Sequence, residues 1–65
     1  MIQGEYYTYS GHDGEVVVKY LGPSYCYVRL MKMHSFDVGG DIRHIYDDYV
    51  KREQHRFTLH SPHRA

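Results

Sequence analysis

Between Lys19 and Arg29, tyrosines and basic side chains interleave along one extended stretch of chain. Successive side chains of a strand point to opposite faces. One face of a hairpin built here is therefore expected to carry Val17, Lys19, Leu21, Tyr25, Tyr27 and Arg29, joined by Tyr7 and Tyr9 from a neighbouring strand. Tyrosine and arginine are enriched at the energetic centres of protein interfaces. The expected function is that of a small, non-catalytic protein-binding module or regulator, docking on another protein or on a second copy of itself. Tyr25, Tyr27, Arg29 and Lys19 carry the contact, with Leu21 and Tyr7 in support. The alternative is single-stranded RNA or DNA on the same face, bases stacking on the rings while Lys19 and Arg29 meet phosphates. A plainer reading has cross-strand tyrosine pairs doing no more than stiffening an exposed sheet.

The histidines offer a third chemistry. His55, His60 and His63 are spaced H-x4-H-x2-H, and His12 beside Asp13, or His34, would add ligands. Zinc takes imidazole readily, but structural sites use four ligands and favour thiolates. The single cysteine, Cys26, shares strand parity with Val28 and Leu30 and is expected in the core. Solvated histidines are the simpler reading, and no metal or other cofactor is expected.

Catalysis finds little support. A Cys26 buried among aliphatic side chains is a small hydrophobe rather than a nucleophile. Asp47 and Asp48 resemble paired carboxylates, but adjacent residues on a helix diverge by about 100°. They serve better as the acidic halves of pairs with Lys51 and Arg52 at i, i+4. Gly39-Gly40 lacks the flanking pattern of a phosphate-binding loop.

Size and charge narrow the classes further. Sixty-five residues make one small domain, and a chain this short buries only about 60% of its unfolded surface. Such folds usually need a disulfide, a metal or a partner, and one cysteine excludes an internal disulfide. A lone thiol also favours a reducing, cytoplasmic setting. Eight basic and eight acidic residues cancel, which argues against a dedicated duplex-DNA binder. No stretch approaches the roughly 20 apolar residues of a membrane span, and the N-terminal residues do not read as a signal peptide. Eight tyrosines with no tryptophan and two phenylalanines suit half-buried surfaces better than a dry core.

These side chains need elements to position them. Glu5 to Ser10 reads as a first strand, Gly11 to Gly14 as a turn and Glu15 to Leu21 as a second strand. Gly22-Pro23-Ser24 reads as the turn into a third strand, Tyr25 to Lys32. Cys26, Val28 and Leu30 then face the core, with Val16, Val18 and Tyr20 on one side of the second strand. Met33 to Gly40 is a connection in which Phe36 and Val38 pack down. Asp41 to Glu53 carries an apolar stripe of Ile42, Ile45, Tyr46, Tyr49 and Val50, which predicts a helix capped by Asp41. The competing reading is a fourth strand, Asp41 to Tyr46, followed by a tight turn at Asp47 to Val50. Arg56 to His60 is a last short strand.

The expected fold is α+β: a three-stranded antiparallel meander with one helix and a short final strand, in a single domain over residues 1–60 and a disordered tail over 61–65. The alternative is a five-stranded barrel, since the order of short strands with a helical turn near the end resembles the SH3-like class in outline.

Overall fold

The computed structural model describes residues 1–60. Five strands form one antiparallel sheet in the order β4-β3-β2-β1-β5: β1 is Tyr6–Gly11, β2 Gly14–Cys26, β3 Met31–Val38, β4 Asp41–Tyr46 and β5 Phe57–Leu59. A short helix, α1 (Asp47–Arg52), and a 3-10 turn (Gln54–Arg56) connect β4 to β5. Among these residues no helix is long and apolar enough to cross a membrane. The tail over 61–65, and with it His63, lies outside the described residues.

The helix expected over Asp41–Glu53 is corrected. Its first half is a strand, and the competing reading describes this region. Gly39 and Gly40 hold φ of +61° and +95°, the pair of positive values that a two-residue hairpin turn demands. Asp37 Oδ1 accepts a hydrogen bond from the Gly40 N–H at 2.9 Å. With the chain reversed, Ile42 and Ile45 join a ladder that pairs all of β4 with β3, where β-branched side chains sit more comfortably than in a helix. Only Asp47–Arg52 is helical, with acids in its first turn and bases in its last, as the helix dipole favours. The Asp47–Lys51 pair forms at 3.2 Å. Arg52 instead approaches Glu53 at 3.6 Å and lies over the Tyr49 ring.

The turn expected at Gly22-Pro23-Ser24 is a bulge. Tyr20 lies opposite Phe36 and Gly22 opposite Ser35, so Leu21 is an extra residue in β2. Gly22 has φ +120°, open to glycine and strained for other residues. β1 stops pairing with β2 at Lys19, so beyond that point β2 has one strand neighbour and tolerates a residue without an N–H. One inserted residue moves every later side chain to the other face. Because β2 runs on to Cys26 and the chain reverses only at Tyr27–Leu30, Cys26, Val28 and Leu30 miss the core expected for them: Cys26 is half-buried, and the other two are exposed in that turn.

The core is instead Tyr7, Val18, Tyr20, Phe36 and Val50, with Val38, Ile45 and Phe57 packed against it. Phe36, in the segment read as a connection, is the most buried side chain. Burying a residue of this size contributes about 1.5–3 kcal/mol. The N-terminal segment adds backbone bonds to the open side of β2, Gly4 N–H to Tyr20 O at 2.8 Å and Tyr20 N–H to Glu5 O at 3.0 Å. The molecule is elongated, 42 × 24 × 19 Å. Both short hairpin turns, at residues 12–13 and 39–40, lie at one end of the sheet, and the β2–β3 turn lies at the other.

Candidate functional site

Past Tyr20 on β2 and before Met33 on β3, the two strands pair only with each other. They form a two-stranded arm closed by Tyr25 opposite Lys32, Cys26 opposite Met31, and the turn Tyr27–Leu30. At its tip Tyr27 is 81%, Val28 93% and Leu30 72% exposed. Tyr25 and Tyr27 meet edge to face, 5.0 Å between centroids. Leu30 has φ +56° and is the only non-glycine residue with positive φ among those described. A branched side chain in that conformation costs about 1–3 kcal/mol, and such strain concentrates at functional positions.

The six residues expected to share one face do not. Tyr25, Tyr27 and Arg29 assemble at the arm tip. Lys19 lies lower on β2, between Tyr6 and Asp37, with Nζ 5.7 Å from the Tyr6 ring centroid. Leu21 is half-buried at the bulge. Tyr7 belongs to the core, where its hydroxyl accepts the Ile2 N–H at 2.7 Å. Reading the residues by parity missed Val28 and Leu30, the most exposed aliphatic side chains of the arm, and Lys32. One signal was present: no aspartate or glutamate occurs from Val16 to Phe36, whereas Lys19, Arg29 and Lys32 do. The neutral total hides an arm with no negative charge.

A second feature lies on the core side of the sheet. An open cavity of about 610 Å³ is walled by all five strands and by Tyr49 of α1. The Tyr9 and Tyr49 hydroxyls meet at 2.7 Å, and that hydrogen bond, more than burial, holds the Tyr9 phenol above its ordinary pKa. Phe57 stacks on Phe36 at 5.5 Å and packs on Tyr9 at 4.9 Å. Arg56 fixes this corner by donating to Glu53 Oε1 at 2.7 Å and to the Ser10 carbonyl at 3.0 Å. The Glu53 carboxyl lies below its usual range, chiefly through the Arg56 hydrogen bond. Val16 and Val38 line the cavity toward the end with the two short turns.

The third feature is a polar chain. Tyr20 Oη lies 2.6 Å from His34 Nδ1, and His34 Nε2 lies 2.6 Å from Asp47 Oδ1. An ionised carboxylate can only accept, so Nε2–H donates to Asp47, and in the neutral imidazole Nδ1 then accepts the Tyr20 O–H. The His34 hydrogen bond, followed by Lys51, lowers the Asp47 pKa. Burial, followed by the negative charge of Asp47, raises that of Tyr20. Each group satisfies its neighbour, and the chain ties α1 to β2 and β3.

Among the described residues no three His, Cys, Asp or Glu side chains gather as metal ligands. His60 Nδ1 lies 3.2 Å from the Thr8 hydroxyl, and His55 Nε2 approaches Glu53 at 3.9 Å. In comparison with known proteins, no family model, no curated protein and no solved structure matches the chain.

Proposed function

We propose that this chain is a small, non-catalytic docking module whose contact element is the β2–β3 arm. The observation that carries the reading is the tip: Tyr27, Val28 and Leu30 expose apolar surface beside Arg29, at the end of a ribbon whose two strands there pair only with each other. Exposed apolar groups rimmed by charge mark interaction sites, and tyrosine with arginine is the composition of interface anchors. The strand order and the helical turn before the last strand support an SH3-like barrel as the body that holds the arm. The polar chain supports a structural role over a catalytic one, because its hydrogen-bonding groups are spent on one another. The lone Cys26 supports a reducing, cytoplasmic setting.

The reading is tested by presenting wild-type protein and the Val28→Asp and Arg29→Ala variants as bait. A docking arm loses its specific partner in both variants while circular dichroism stays unchanged. Equal capture by wild type and both variants would refute it.

The absence of acids from Val16 to Phe36 also favours a second reading, single-stranded nucleic acid on the same arm. Fluorescence anisotropy against a short mixed-sequence strand separates the two, since binding through phosphates weakens steeply with salt. An absence of binding at low salt removes this alternative.

A further inference from the structure

The cavity on the core side of the sheet is walled by aromatic and aliphatic side chains, by Arg43 and by His44, and by no carboxylate. Strand alternation separates the two basic residues. Arg43 lies opposite Phe36 and so shares the core side, whereas His44 lies opposite Ser35, whose Oγ is 2.9 Å from His44 Nδ1. Arg43 is therefore the cation that faces the cavity. Its acidic neighbour, Asp41, forms no part of the wall, and the two approach only to 3.9 Å. That is beyond hydrogen-bonding distance, and an ion pair between two mostly exposed side chains is weak. The guanidinium keeps its planar fork of donors for an incoming group.

A second donor stands in the same wall. Tyr9 and Tyr49 carry two hydroxyl protons, and the 2.7 Å bond between their oxygens uses one. The other has no acceptor among the described residues, and both tyrosines line the cavity. Phe36 and Phe57 are stacked beside them, with Tyr9 tilted against Phe57, an arrangement that receives a further ring edge to face or offset. At about 610 Å³ the cavity falls within the range of small-molecule sites. We infer that it is a binding site for a small aromatic carboxylate. The ring packs against Phe57 and Tyr9, and the carboxylate accepts hydrogen bonds from Arg43. The spare tyrosine proton offers a donor to a further oxygen of the ligand. Ammonium compounds are disfavoured, because the wall supplies donors and positive charge but no carboxylate. This site makes no use of the arm, so it goes beyond the docking reading and fails or stands separately from it.

The probes are naphthoate and its uncharged amide, titrated into the full chain by calorimetry, with backbone amide chemical shifts locating the site. Naphthoate should bind about tenfold more tightly than naphthamide, the difference made by a charge-assisted hydrogen bond. It should shift the amides of Val16, Val38 and Arg43 and leave those of Tyr27 and Val28 in place. Arg43→Gln, at a side chain 64% exposed, should bring naphthoate down to the affinity of the amide. Val16→Asp puts a carboxylate on the wall at a position 41% exposed, and should also weaken naphthoate binding. Val28→Asp, on the arm, should bind naphthoate like wild type. Circular dichroism checks the fold of each variant.

Naphthoate that fails to bind at millimolar concentration overturns the inference, as does equal binding of the acid and the amide. Folded Arg43→Gln or Val16→Asp protein that binds naphthoate like wild type overturns it too, and so do shifts confined to the arm. Failure of the docking reading shows elsewhere, as partner capture that Val28→Asp leaves unchanged.

Discussion

The Tyr20 hydroxyl lies 2.6 Å from His34 Nδ1, which joins the buried centre of β2 to a side chain that reaches α1 through Asp47. A six-residue helix is too short to hold itself together in water. Its attachment comes from Val50 in the core, from the Tyr9–Tyr49 hydrogen bond and from this polar chain.

Removing the two ends of that contact should therefore have unequal effects. Tyr20→Phe deletes one hydrogen bond and leaves Nδ1 at a partly exposed position, a loss of about 1 kcal/mol. His34→Ala strands the buried Tyr20 hydroxyl and frees Asp47, a larger loss of about 1–3 kcal/mol. Chemical denaturation measures both. Equal effects, or none, would mean that the chain does not anchor α1.

Asp47 and Glu53 both have folded-state pKa values below their ordinary ones, Asp47 through His34 and then Lys51, Glu53 through Arg56. A depressed carboxyl pKa contributes stability above the unfolded value, about 4, and that stability is lost as pH falls through the folded value. The melting temperature of wild type should fall on the acid side of about pH 4. Asp47→Asn should melt lower at neutral pH and lose less on acidification. A thermal scan across that pH range checks it, and parallel curves would contradict the assignment.

Gly22 is the position on which the register of the arm depends. Its φ of +120° is unfavourable for any other residue, and an added Cβ would sit 3.0 Å from the Gln3 side chain. Gln3 can move aside, so backbone strain dominates. Gly22→Ala should cost about 1–3 kcal/mol. A substitution without cost would mean that the bulge is not held as described.

That bulge also explains much of what the sequence conceals. β1, the first hairpin and the inward side of Val18 and Tyr20 follow from alternation and turn chemistry, and all are found. Alternation then carries past Gly22-Pro23-Ser24 into an error. A glycine and a proline signal a break in regular pairing, but not whether the break is a turn or one inserted residue, and the two place Cys26, Val28 and Leu30 differently. The Asp41–Glu53 segment misleads for another reason: Ile42, Ile45, Tyr46 and Tyr49 satisfy helical spacing, yet the ladder with β3 outweighs it. The arm tip was therefore legible in Tyr25, Tyr27 and Arg29 as residue types. The cavity was not, because it needs five strands and α1 brought together.

Leu30 separates local stability from docking. Leu30→Gly removes the positive-φ strain, about 1–2 kcal/mol, against a gain in unfolded-chain freedom of about 0.4–1 kcal/mol. The variant should melt at the wild-type temperature or slightly above it, while partner binding weakens through loss of the exposed side chain. A large drop in stability would show instead that Leu30 packs within the arm.

The most direct test of the arm as docking element is site-specific photocrosslinking. A photoreactive phenylalanine analogue replaces Tyr27 in one sample and Lys51, an exposed residue of α1, in another. Irradiation at working concentration should give a discrete protein adduct from position 27 and none from position 51, and Val28→Asp in the same chain should abolish it. No adduct from position 27, or equal adducts from both positions, would contradict the account.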